Sequence, residues 1–365
     1  MKKLTSIALS IAMILCLMSG CGSKPIRQTA DTPAATEAPQ GDSDAANADS
    51  GNGTFVMRIG HAQTEESPRH RSLLYFKQQV EQKTDGKVKV EIYPNGELGD
   101  ETEMTVSVSE GRLEAVRGGD LDFVPKSQLL SLPMIATDLE QARELCYSDF
   151  VADMLSSAET DYNMKVLAIG DDSGFRQITN NVRRIQKPED IKGLKIRAPQ
   201  IVATVTFFDE IGGTGTATVV PFTELYESLA SGKVDGQENP LALIDTSKFY
   251  EVQKYCTLIN YQFFPELMYV NLDWWNSLPT DIQTTLTKCA KDMMDECSRI
   301  TDEENEQYMK HIQDNGCEIY VLTPDEREAF EIYAQRTWQK YVDQGYATKQ
   351  DIEDMLSVIG KEVSW

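Results

Sequence analysis

The sequence predicts two α/β lobes with one long helix running along both. Three observations carry that reading. Strand-like and helix-like hydrophobic periods alternate, first near residue 55 and again from residue 166. One amphipathic stripe of helical period persists from Thr280 to Asn315-Gly316. A chain of 365 residues with 41% hydrophobic content also suits about two domains.

Taken in order, residues 55–60 read as a strand. Ser67-Pro68 then opens a helix as N-cap and first-turn proline, where the missing N–H costs nothing. Leu73, Phe76 and Val80 share one face of it, and Gly86 stops it. Residues 87–93 alternate at period two, so the opening is a βαβ unit with a parallel strand pair. Pro94-Asn95-Gly96 turns the chain. Short apolar strands recur at 166–169, 194–196 and 217–220, separated by helical or loop stretches, and they supply the second lobe. Thr280 pairs with Gln283 in a capping-box pattern, followed by apolar residues at 282, 286, 289, 293, 297, 300, 308 and 312. That helix would be roughly 50 Å long, more than one lobe needs.

The first fifty residues carry a different message. Lys2 and Lys3 precede an apolar run at 7–18, too short to span a bilayer, and small residues then lead into Cys21. The segment resembles a bacterial lipoprotein signal, which implies removal of residues 1–20, a lipidated Cys21 and attachment to the outer face of the cell membrane. Residues 21–53 are rich in Ala, Thr, Asp, Pro, Gly, Ser and Asn, with Ile26 as the only large aliphatic residue, and read as a disordered tether. Of seven cysteines, Cys16 leaves with the signal and Cys21 is spent on lipid. Cys146, Cys256, Cys289, Cys297 and Cys317 show no metal or disulfide spacing and read as small buried hydrophobes. The net charge of −23 becomes −25 without Lys2 and Lys3, which argues against nucleic acid as a partner.

Signatures of enzymes are missing: there is no HExxH, GxSxG or Walker loop, and the histidines are only His61, His70 and His311. Gly213-Thr214-Gly215 lacks the third glycine of a dinucleotide fingerprint and follows a helix instead of a strand. Arg176 and Arg197 each stand where a strand meets a loop, and Asn239 lies in an Asn-Pro turn. By spacing alone these three are ordinary surface residues.

Resemblance changes their weight. Tyr93-Pro94-Asn95-Gly96-Glu97-Leu98-Gly99, Leu132-Pro133, Lys192-Gly193-Leu194-Lys195-Ile196-Arg197-Ala198-Pro199, Glu224-Leu225-Tyr226, Val234-Asp235-Gly236-Gln237-Glu238-Asn239-Pro240 and the 248–255 segment occur in one order. In these blocks the body resembles the DctP-type substrate-binding proteins of tripartite ATP-independent periplasmic (TRAP) transporters. The resemblance implies a two-lobed periplasmic-binding-protein-like fold with a ligand cleft between the lobes. Lobe one is then expected from 54–172 plus about 265–305, and lobe two from 173–264 plus about 306–365. It also implies a monomer without cofactor or catalysis that captures a carboxylate, such as a sugar acid or a C4-dicarboxylate, and delivers it to membrane permease subunits. A sensor presenting an organic acid to a receptor is the alternative.

Carried over by position, Arg197 resembles the arginine that grips the carboxylate, Arg176 a second arginine and Asn239 the amide completing the clamp. A guanidinium suits this task because it donates two parallel N–H bonds to a carboxylate. Phe222 resembles the aromatic pocket wall, and His61 falls where the first strand contributes a polar group. Two departures stand out. The 211–221 segment is about two residues longer than usual, and Arg117 occupies a position from which a third positive contact would favour a ligand with two carboxylates.

Overall fold

The computed structural model describes residues 53–171 and 173–363. The expected signal, Cys21 and nearly all of the tether lie outside the described residues, as does Asp172.

Two sheets organise the chain, with strands numbered in chain order. The first contains β1 (Phe55–Gly60), β2 (Val88–Tyr93), β3 (Ala115–Gly118), β4 (Met164–Asp171) and β10 (Pro265–Asn271), in the order β2-β1-β3-β10-β4. The second contains β5 (Arg176–Asn180), β6 (Ile196–Ala198), β7 (Ala217–Val219), β8 (Gly236–Asn239), β9 (Tyr255–Gln262) and β11 (Glu318–Val321), in the order β11-β9-β5-β8-β6-β7. Strand β1 pairs in parallel with β2 and β3, while β10 runs antiparallel between β3 and β4. In the second sheet β6 lies parallel to β7 and β8, and β5 is antiparallel to β8 and β9. The chain crosses from one sheet to the other between β4 and β5 and returns between β9 and β10.

The opening helix is Pro68–Lys83, and the Ser67 side chain accepts from the His70 amide as its cap. Leu73, Phe76 and Val80 are fully buried beneath it, packed with Met57, Ile59 and Val90 of the first sheet. The long helix is Thr280–Asp314. Its first half packs on the Pro68–Lys83 helix and β4, and its second half reaches the Leu241–Thr246 helix and β11. Every expected stripe residue from Ile282 to Ile312 is buried, so the stripe is core. The expected capping box is absent, because the helix begins one residue early: Pro279 is the N-cap, and Gln283 donates instead to the Trp275 carbonyl at 2.8 Å. The five cysteines are free and buried. Among the described residues no helix is long and apolar enough to cross a membrane.

The end of the chain departs from the expected division. Helix Lys349–Val358, expected with the second lobe, packs Ile352, Met355 and Leu356 with Leu130, Leu132 and Leu145, in the cluster that also holds Val116 and Leu267 of the first sheet. The Pro324–Asp343 helix bridges the two groups: Phe330 and Ala334 pack with Phe207 and Phe208, whereas Trp338 donates to the Pro133 carbonyl at 2.8 Å. Burying an apolar face is worth about 25 cal/mol per Å², and the tail follows the unfilled surface wherever it lies.

One close approach fixes how β5 and β8 meet. Asn180 stands opposite Gly236, and a methyl group there would run into the Thr179 carbonyl oxygen. Backbone cannot step aside as a flexible side chain does. We expect Gly236→Ala to cost about 2 kcal/mol or more in urea unfolding, at the upper end of ordinary overpacking. Loss below about 0.5 kcal/mol would show that the ladder shifts freely.

Candidate functional site

Arg197 is the middle residue of β6, held between Thr218 of β7 and Gln237 of β8. The side chain is 3% exposed, and its Nε donates to the Val220 carbonyl at 2.8 Å. Its two terminal nitrogens make no hydrogen bond or ion pair with any described residue. Burial pulls the guanidinium down to about 10; Glu238 opposes the shift and the neighbouring Arg176 adds to it. A desolvated cation with two unused donors is a built anion receptor.

Those donors face a cavity of about 280 Å³. Pro199, Gln200, Phe222 and Thr223 line it from the second-sheet side, Ala62, Asp120 and Asp122 from the first, and Phe264 from the crossing between β9 and β10. Phe222 is half-buried on that wall. Gly119 is needed for the same geometry, since a methyl group there would collide with the Phe264 ring.

The other expected ligands are arranged differently. Arg176 and Asn239 do meet, with Arg176 donating to Asn239 Oδ1 at 2.8 Å, but neither lines the cavity. Arg176 is ion-paired through Nε with Glu238, and donates to the Glu238 backbone carbonyl at 2.9 Å. It lies 5.2 Å from the centre of the Phe264 ring, and Asn239 Nδ2 is bonded to Gln237. The pair forms a frame behind Arg197, its charge balanced by a carboxylate the sequence reading had not singled out. Glu238 also accepts from the Tyr261 hydroxyl at 2.7 Å.

His61 is a correction. It is fully buried, with Nε2 3.0 Å from His70 Nδ1, and burial beside Arg69 drives it down to about 2, so it stays neutral. Its neighbour Ala62 lines the cavity instead. Arg117 is a second correction. It is fully buried against Glu266, with Nη2 at 2.7 Å, and donates to Ser72 Oγ at 2.6 Å on the side of the Pro68–Lys83 helix, so it supplies no third contact.

Asp120 and Asp122 were missed. They follow β3, and ligands of open α/β sheets sit beyond the carboxyl ends of strands, which is the signal that would have found them. Asp120 is 9% exposed; one oxygen accepts from the Asp122 amide at 3.1 Å, and Oδ2 is buried with no hydrogen-bond partner among the described residues. Burial pushes its carboxyl up to about 6, opposed by the Asp122 amide and by the Thr102 side chain. Asp122 accepts from Gln128 at 2.7 Å and, across the cleft, from Gln200 at 3.4 Å.

A stability prediction follows. The folded-state pKa of Asp120 lies above the unfolded value near 3.8, so between pH 4 and 6 the folded form binds more protons, and stability falls as pH rises through that window. Asp120→Asn removes the penalty. We expect the unliganded variant to gain on the order of 3 kcal/mol above pH 7 and nothing below pH 4, measured by urea unfolding across pH. An equal gain at both ends would mean the carboxyl does not titrate there.

Two lobes around a cavity that presents one cation unpaired among the described residues are the build of a solute-binding protein. The model of the bacterial extracellular solute-binding proteins of family 7, DctP, matches residues 59–344, and the chain belongs to that family. It is 30% identical over 283 residues to the C4-dicarboxylate-binding periplasmic protein DctP of Rhodobacter capsulatus, covering 76% of this chain and 83% of that one. The sugar acid binding protein of Advenella mimigardefordensis in complex with galactonate superposes with a TM-score of 0.79 at 27% identity, over 84% of this chain and 98% of that one. A TRAP solute-binding protein of Haemophilus influenzae with bound L-gulonate gives 0.78 at 26%, over 84% and 100%. The family is an extracytoplasmic component of transport and not a group of enzymes.

Proposed function

We propose that this protein captures a small organic acid in the cleft, with Arg197 gripping the carboxylate, and delivers it to TRAP permease subunits in the membrane. The observation that carries the reading is the Arg197 guanidinium, buried, without an ion-pair partner among the described residues, and lining the cavity. The relatives named above bind a C4-dicarboxylate, galactonate and L-gulonate, which share the carboxylate such a group selects. Phe222 and Phe264 wall the ligand, while Arg176, Glu238 and Asn239 hold the strand ends that aim Arg197. The net negative charge repels anions at long range, so capture relies on this local cation instead of steering. Ligand shifts the lobes toward the closed form about the two strand crossings. The protein acts as a monomer, lipidated at Cys21 and held to the outer face of the membrane by the 21–53 tether.

A thermal-shift screen of the purified protein against carboxylates and matched neutral sugars tests the reading. A carboxylate at 100 times its dissociation constant adds about 2.7 kcal/mol and raises the melting temperature. Response to neutral sugars alone would overturn it.

A further inference from the structure

Among the described residues that line the cavity Arg197 is the only Lys or Arg, and it shares the lining with several carboxylates. Most of that wall is already engaged. Glu101 accepts from Arg69 at 2.5 Å, and Asp100 and Glu103 cap each other at the start of the Glu101–Ser109 helix. Two carboxylates remain at the ligand space: Asp120, nine-tenths buried with Oδ2 unpartnered among the described residues, and Asp122, whose carboxylate accepts there only from the side-chain amides of Gln128 and Gln200. Arg117 and Arg176, which could otherwise balance a second ligand carboxylate, are spent on Glu266 and Glu238.

We infer that the ligand is a monocarboxylate whose far end presents hydrogen-bond donors, hydroxyl or ammonium, to Asp120 and Asp122, and that the same pair excludes a second carboxylate. The inference rests on the carboxylate reading of Arg197. A buried acceptor without a donor is costly, and a ligand hydroxyl or ammonium satisfies it. A carboxylate in the same place would set anion against anion in a poorly solvated cleft, which is how a site rejects a near relative of its ligand. Above pH 6 Asp120 is the anion, which sharpens both effects.

Calorimetric titration of the intact protein at pH 7.5 with gluconate, 4-aminobutanoate, succinate and butanoate decides the matter. Gluconate or 4-aminobutanoate is expected to bind at least about 10-fold more tightly than succinate, the factor one satisfied buried acceptor supplies. Preference for gluconate identifies a polyhydroxy acid, and preference for 4-aminobutanoate an amino acid. Asp120→Asn is expected to cut that preference by about 10-fold, and Asp122→Asn serves the same comparison should the first variant fail to fold. Succinate binding as tightly as the donor-bearing acids overturns the inference, and so does a preference unchanged in both variants. Silence of all four probes, while neutral sugars bind, removes the carboxylate reading itself and this inference with it, an outcome distinct from the other two.

Discussion

Arg197→Ala is expected to weaken binding of the best carboxylate by two to three orders of magnitude, read by calorimetric titration. Truncating one partner of a buried, hydrogen-bonded charge pair costs about 2–5 kcal/mol, and each 1.4 kcal/mol is tenfold. The fold should not suffer. Among the described residues the side chain makes one hydrogen bond, Nε to the Val220 carbonyl, and in return buries a cation with no ion-pair partner there. The melting temperature of the unliganded variant is therefore expected to match or exceed that of the parent. Arg197→Lys should recover no more than about tenfold, because an ammonium cannot offer two parallel donors to a planar carboxylate. Binding unchanged in the alanine variant would remove Arg197 from the role.

Glu266→Gln is expected to be the most damaging of the stability changes, about 3–5 kcal/mol in urea unfolding. Glu266 is fully buried on β10, holds Arg117 through Nε at 3.0 Å and Nη2 at 2.7 Å, and forms a second ion pair with Arg69. Neutralising it removes the carboxylate that two buried guanidinium groups share. The same variant checks the position of Arg117. Were that arginine near the ligand, releasing it from Glu266 would strengthen dicarboxylate binding; with Arg117 on the far side of the sheet, the order of ligand affinities is expected to stay the same. Stability reduced by less than about 1 kcal/mol would show that the cluster is solvated.

The local architecture was legible residue by residue. Ser67-Pro68 starts its helix, the period-two segment before Tyr93 is a strand, and each apolar position from Ile282 to Ile312 is buried. These follow from hydrogen bonding and side-chain periodicity over a few residues, which a sequence displays directly. Thr280 shows where that reasoning slips, since Pro279 takes the cap and moves the helix start by one residue. The site was legible only in part. Arg197 and Phe222 reach the cavity, while Asp120 and Asp122, which resemble solvated acids after a glycine pair, went unread.

By itself the sequence determined the alternation of strand and helix, the continuous spine of the long helix and, through its motif blocks, the family. The tertiary structure alone decided which arginine is left free. Arg176 is neutralised by Glu238, 62 positions away, and Arg117 by Glu266, 149 positions away, whereas no carboxylate of the described residues forms an ion pair with Arg197. Charge balance in a low-dielectric interior is set by whichever groups the sheets bring within a few ångströms, and that proximity is written in strand order and register, not in local spacing.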